Sequence, residues 1–201
     1  MIRVLIAEDM HMIRGALVAL LSHEDDMTVV AELDRGDRVL DEILRTRPDI
    51  ALLDIDLPGL DGLAVAELVH ARAPLCRVLI LTGLSRPGYL LRALRAHVRG
   101  FVVKDAPAST LAASIRRVAA GERVIDAELI AAALETGPSP LTARETDVIR
   151  SAETGISTEQ IAAALFLSPA TVRNYLSNAI TKIGGRNRID AIRIARDAGW
   201  L

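Results

Sequence analysis

Over the first 121 residues, short apolar runs alternate with longer segments in which apolar positions recur at helical spacing. The apolar runs at residues 3–7, 28–32, 50–53, 78–82 and 100–103 predict strands. Four of them suit strands covered on both faces, as in a parallel sheet. The segments between and after them, near residues 10–21, 37–45, 61–71, 87–96 and 109–120, predict helices. Gly121 stands where a left-handed cap would close the last of these. Five strands alternating with five helices imply an α/β fold, a doubly wound five-stranded parallel sheet with right-handed crossovers and expected strand order 2-1-3-4-5.

Strand signals stop after Gly121. A weak helical stretch at 127–134 precedes Gly137-Pro138-Ser139-Pro140, the clearest domain boundary in the chain. The expected domains are therefore 1–121, a linker at 122–138, and 139–201. Everything past the boundary reads as helix. Thr142 with Glu145, and Ser157 with Gln160, have the spacing of capping boxes. Ser168-Pro169 pairs an N-cap with proline at the first helical position. Asn187 is placed to cap a fourth helix ending near Gly199, completing a small all-α four-helix domain.

Composition adds little until it is divided between the halves. At 51% apolar and 25% charged the chain reads as an ordinary globular protein. No stretch approaches the roughly 20 apolar residues that span a bilayer. The opening apolar run meets Glu8 and Asp9 too soon for a signal peptide, so a cytoplasmic location is expected. The single cysteine, Cys76, excludes an internal disulfide and a cysteine-based zinc cluster, and is expected to be a small buried hydrophobe. The net charge of −2 is unevenly spread: residues from Ser168 onward hold six basic side chains against Asp190 and Asp197. A basic tail behind an acidic front suggests a polyanion partner for the second domain.

The polar residues of the front half fall at strand ends: Glu8 and Asp9 after the first strand, Asp54 after the third, Thr82 at the fourth, Lys104 after the fifth. In an open parallel sheet those ends line the ligand crevice. Three converging carboxylates repel one another unless a cation is shared. An oxygen-only site suits Mg²⁺. One carboxylate can then act as a nucleophile toward phosphorus. Lys104 would neutralise charge on the phosphoryl oxygens, and the Thr82 hydroxyl would donate to one of them.

In the second half, residues 169–182 show two faces. Val172, Leu176, Ala179, Ile180 and Ile183 form an apolar stripe; Thr171, Asn174, Ser177 or Asn178, and Thr181 form a polar one, with Arg173 and Lys182 nearby. A short turn through Phe166 and Leu167 joins this segment to the preceding helix. That is the pattern of a helix-turn-helix whose second helix enters the DNA major groove. Asn and Arg suit base edges, Thr and Ser phosphates, and the amides of Thr171 and Val172 at the helix start are candidate phosphate donors. The histidines His11, His23, His70 and His97 have no ligand-like spacing and read as surface or capping residues, with His11 near the acidic pocket.

The motifs Ile6-Ala7-Glu8-Asp9, Asp54-Ile55-Asp56-Leu57-Pro58-Gly59-Leu60-Asp61-Gly62, Leu81-Thr82 and Gly100-Phe101-Val102-Val103-Lys104-Asp105 together resemble the receiver domain of bacterial response regulators, a flavodoxin-like fold. Leu141-Thr142-Ala143-Arg144-Glu145, Thr171-Val172-Arg173-Asn174-Tyr175 and Lys182-Ile183-Gly184 resemble the LuxR-type module. With Asp105 after Lys104, the chain resembles the NarL/FixJ subfamily of two-component regulators, and Ser85–Tyr89 and Gly199-Trp200 are similar to its desaturase-regulator branch.

The resemblance implies that Asp54 is phosphorylated by a sensor histidine kinase, that Glu8, Asp9, Asp54 and the Asp56 carbonyl hold Mg²⁺, and that Thr82 and Phe101 are the switch residues. It implies base contacts from Arg173, Asn174 and Ser177, backbone contacts from Thr171 and Lys182, and a homodimer formed on phosphorylation, with a surface on the first and fifth helices. It implies a transcription factor rather than an enzyme. Two alternatives stay open. One is a constitutive DNA-binding regulator whose receiver works without phosphorylation. The other is a phosphatase using Asp54-x-Asp56, against which stand Pro58 and the position of the motif on the third strand.

Overall fold

The computed structural model describes residues 1–83, 87–125 and 139–201. Their contacts gather into two compact units, taken separately below. The helical stretch expected at 127–134 and the Gly137-Pro138 boundary lie outside the described residues.

In chain order the elements up to residue 125 are β1 (Ile2–Ala7), α1 (His11–Ser22), β2 (Met27–Leu33), α2 (Val39–Thr46), β3 (Ile50–Asp54), α3 (Gly62–Arg72), β4 (Arg77–Thr82), α4 (Pro87–Arg95), β5 (Gly100–Val103) and α5 (Ala108–Ala119). The strands form one sheet in the order β2-β1-β3-β4-β5, every pair parallel, as the alternation predicts. The missing in–out alternation has its cause in burial on both faces. Val4, Ile6, Ile50, Leu52, Leu79 and Leu81 pack with Leu111, Ile115 and Val118 of α5 and Leu21 of α1. Leu5, Ala51, Leu53 and Ile80 point the other way and are equally buried. Each such aliphatic side chain contributes about 1.5–3 kcal/mol by leaving water, so a polar residue in these strands is tolerated only at their ends.

One local detail differs from the sequence expectation. The helix expected at 37–45 divides into a 3-10 turn, Gly36–Arg38, and α2. β1 and β2 slip register between Val4 and Leu5. After α5, Gly121 takes the left-handed conformation (φ 96°), and the chain turns back along the sheet edge. There the Val124 N–H donates to the Arg99 carbonyl at 2.8 Å and its carbonyl accepts from the Phe101 N–H at 2.8 Å.

The second unit comprises α6 (Ala143–Glu153), α7 (Thr158–Leu165), α8 (Pro169–Lys182) and α9 (Arg188–Asp197). Both expected capping boxes are formed, at Thr142/Glu145 and Ser157/Gln160. Ser168 caps α8 and Asn187 caps α9 through their side-chain oxygens. The core joins Val148 and Ile149 of α6, Ile161 of α7, Val172, Leu176 and Ala179 of α8, and Ala191 and Ala195 of α9. Among the described residues no helix is long and apolar enough to cross a membrane.

Candidate functional site

Asp54 is the last residue of β3, held by neighbours on each side: β1 pairs with β3 from Val4 to Ala7, and Asp54 itself pairs with Leu81 of β4. The loop beyond it is tightly folded. Gly62 N–H donates to the Ile55 carbonyl at 2.9 Å, and Asp61 caps α3 by accepting from the Leu63 and Ala64 amides. A Cβ on Gly62 would sit 1.9 Å from the Asp54 carbonyl oxygen, so only glycine permits this close return of the chain.

The carboxylates predicted to converge do so. Glu8, Asp9 and Asp54 each offer an oxygen lying within 4.8 Å of the others. Lys104, the residue after β5, places Nζ 2.7 Å from Glu8 Oε2 and 3.1 Å from Asp54 Oδ2. Asp54 Oδ1 accepts the Ile55 N–H at 2.8 Å. Glu8 is 1% exposed, and burial raises its carboxyl above the ordinary value; the Lys104 hydrogen bond opposes this and the Asp54 charge adds to it. Desolvation works against the Lys104 ammonium, but Glu8 and Asp54 outweigh it and hold its pKa above the ordinary value.

Three carboxylates against one ammonium leave a local excess of negative charge, and every donor in the cluster is an oxygen. These residues fit a small hard cation of the Mg²⁺ type. The Asp56 side chain is exposed and outside the cluster, while no hydrogen bond among the described residues takes its carbonyl.

Thr82 closes β4 at 1% exposure, with its carbonyl accepting the Lys104 N–H at 2.7 Å. Phe101 lies on β5 opposite Ile80 and is 4% exposed. His11 is 2.6 Å from Arg14, which in turn donates to the Glu8 carbonyl at 2.6 Å. It therefore braces the strand end and takes no place among the carboxylates.

On α8, Arg173, Asn174, Ser177 and Asn178 are exposed together, leaving one polar face. The Val172 side chain is fully buried, as its place in the apolar stripe predicts. One expectation is corrected: the amides of Thr171 and Val172 are already bonded to Ser168, to its Oγ and its carbonyl, both at 3.1 Å. The N-cap and the first helical hydrogen bond thus take the donors assigned to phosphate. Lys182 Nζ lies 2.7 Å from Glu145 Oε2, tying the end of α8 to the start of α6.

Burial works against the Glu145 charge, yet Lys182 and Thr142 hold its carboxyl below the ordinary 4.5. A depressed carboxylate contributes stability that is complete above its unfolded value and lost as pH falls through the folded one. Lys182→Met is expected to cost roughly 1 kcal/mol at pH 7 and to flatten the acid limb of the stability–pH profile, measured by urea denaturation. An unchanged acid limb would mean that the pair is not structural.

The comparisons with known proteins agree with this geometry. The model of the response regulator receiver domain matches residues 4–116, and that of bacterial regulatory proteins of the luxR family matches residues 139–195. The chain belongs to the NarL/FixJ family of two-component response regulators, transcription factors that join a receiver to a LuxR-type DNA-binding module. It is 41% identical over 201 residues to the uncharacterized transcriptional regulatory protein YvfU of Bacillus subtilis (strain 168), with 100% of both chains covered. To the transcriptional regulatory protein DesR of the same organism it is 40% identical over 201 residues, again with 100% of both covered, which supports the likeness to that branch. Among solved structures, the response regulator ChrA of a heme-sensing two-component system matches with a TM-score of 0.58 at 34% identity, covering 100% of this chain and 98% of that one.

Proposed function

We propose that Asp54 is the phosphoacceptor of a cytoplasmic transcription factor, and that its modification by a sensor histidine kinase controls how α8 is presented to DNA. The reading rests on one observation above all: a half-buried lysine, Lys104, bridges Asp54 and Glu8 in a pocket built from the carboxyl ends of the strands. Asp54 Oδ2 attacks the phosphorus of the donor, forming an acyl phosphate as the bond to the donor's imidazole breaks. Glu8, Asp9, Asp54 and the Asp56 carbonyl would hold Mg²⁺. The metal, when bound, supplies charge neutralisation at the phosphoryl oxygens. Lys104 turns from Asp54 to the new phosphoryl group, and the Thr82 hydroxyl donates to one of its oxygens. Phe101, six residues beyond the α4 end at Arg95, relays the change to the surrounding face.

Homodimerisation is the proposed readout. An apolar groove of about 310 Å³ between α1 and α5, lined by Met12, Ile13, Leu17, Ala108 and Leu111, supports these two helices as the dimer surface, and Met12 is 81% exposed. A dimer places two α8 helices on half-sites one helical turn apart, roughly 34 Å. Acetyl phosphate with Mg²⁺ is expected to add one phosphoryl group to the intact protein, with EDTA stopping the reaction. Equal incorporation under chelation would reject the metal assignment. Arg173→Ala is expected to weaken operator binding by about 1–3 kcal/mol in a gel-shift titration while leaving phosphorylation intact. Unchanged binding would remove Arg173 from the recognition face.

A further inference from the structure

We propose that the receiver carries a second binding site, for a small oxyanion of the phosphate or phosphomonoester class, held among His70, His97, Arg99 and Arg123. The site is a concavity of about 160 Å³ at the amino ends of β4 and β5, the opposite end of the sheet from Asp54. Three separate stretches of chain bring nitrogen donors to it. His70 comes from the last turn of α3, His97 and Arg99 from the turn leading into β5, and Arg123 from the segment after Gly121. The other lining residues, Ala66, Pro74, Cys76, Val78 and Ala96, carry no charge; burial pushes the Cys76 thiol up to about 12, with Asp49 and Arg77 the charges that act on it.

No carboxylate lines the concavity, and neither guanidinium makes an ion pair among the described residues. Nearby acids are engaged elsewhere: Glu122, next to Arg123 in the chain, pairs with Arg117, and Asp49, which acts on Cys76, accepts the Arg3 N–H at 2.8 Å. Two arginines without a counter-charge facing one polar hollow repel each other, and an anion between them removes that repulsion. Guanidinium forks match the paired oxygens of phosphate in a way lysines would not.

The imidazoles add a second argument. His70 and His97 stack with ring centroids 3.9 Å apart and planes 17° from parallel. His97 reaches this position from a left-handed backbone (φ 56°), a conformation costly for a residue bearing a Cβ. The ring N–H groups of the pair add hydrogen-bond donors to the two guanidinium forks. At about 30 Å³ per water the hollow holds some five waters, room for a phosphate with a short tail and too little for a nucleotide.

The location gives the site a consequence. Arg123 immediately precedes Val124, which is hydrogen-bonded on one side to Arg99 and on the other to Phe101. An anion joining Arg99 and Arg123 fastens the start of the segment leading toward the DNA-binding unit onto β5, beside the switch aromatic. The site would thus report a small anionic metabolite to the same strand that reports Asp54.

The test uses the full chain in EDTA, so that the acidic pocket has no metal with which to hold phosphate. Sodium phosphate and glycerol 3-phosphate are titrated at pH 7.5, with the histidine C2–H resonances followed by NMR. Saturable shifts of His70 and His97 are expected. Arg99→Gln/Arg123→Gln should weaken binding at least tenfold, and Asp54→Ala should leave it unchanged. Arg123→Gln alone, at an exposed position, is the fallback should the double variant misfold, with a weakening of severalfold expected. Tenfold preference for glycerol 3-phosphate identifies a phosphomonoester ligand; equal affinity identifies free phosphate. No saturable response, equal affinity in the arginine variants, or loss of binding in Asp54→Ala would each overturn the proposal.

Discussion

Asp54→Ala is expected to abolish phosphoryl incorporation from acetyl phosphate and, with it, phosphorylation-dependent dimerisation. The reason is that no neighbouring carboxylate is placed to substitute. Glu8 is closed in at 1% exposure, with Oε1 facing the Met10 N–H at 3.3 Å and Oε2 facing Lys104. Asp9 is exposed and, among the described residues, no lysine pairs with it. Asp54 alone combines one oxygen fixed by the Ile55 N–H with a second turned to Lys104. Losing the nucleophile should reduce the rate by at least on the order of 10³-fold. Folding should survive, because the Lys104–Glu8 pair remains and a like-charge repulsion is removed. Intact-mass spectrometry and light scattering together decide the matter. Dimerisation of the variant to the wild-type extent would sink the phosphorylation switch and favour the constitutive alternative.

The second large effect is structural. Gly62→Ala should destabilise the receiver by about 3 kcal/mol and lower its melting temperature on the order of 10 °C. The added Cβ meets the backbone carbonyl of Asp54 at 1.9 Å, and backbone cannot swing aside as a side chain does. Either β3 or the start of α3 must shift, so phosphorylation should slow along with the loss of stability. Gly15→Ala is the control: nothing lies within 4 Å of a Cβ there, and alanine in α1 should stabilise by roughly 0.5–1 kcal/mol. Equal melting temperatures for wild type and Gly62→Ala would show that the close return is not required.

The receiver was legible because its chemistry sits at element boundaries. Runs such as Ile50–Asp54, buried throughout, announce a two-faced sheet, and the polar residue that ends each run then has one place to go. Strand order 2-1-3-4-5 brings Glu8 and Asp54 together from 46 positions apart in the chain, and Lys104 from a further 50. The second unit was legible as helices through Thr142, Ser157, Ser168 and Asn187, each of which caps. Periodicity failed where hydrogen bonds, not burial, decide. It could not register that Glu145 reaches Lys182 across 37 positions. The stacking of His70 on His97 had no local signal either: each looks like a surface histidine until the end of α3 is set beside the turn into β5.

The buried thiol has a practical consequence. Cys76 is the one cysteine of the chain, 8% exposed and with a pKa pushed up to about 12, so in the folded protein it offers a labelling reagent neither access nor thiolate. A maleimide added under native conditions therefore waits for the receiver to open at β4. Its rate counts those openings, with the helical unit silent because it has no thiol to answer. Nature has left the molecule with a built-in clock for the breathing of one half alone, and phosphorylation or an anion that tightens that half should slow its ticking.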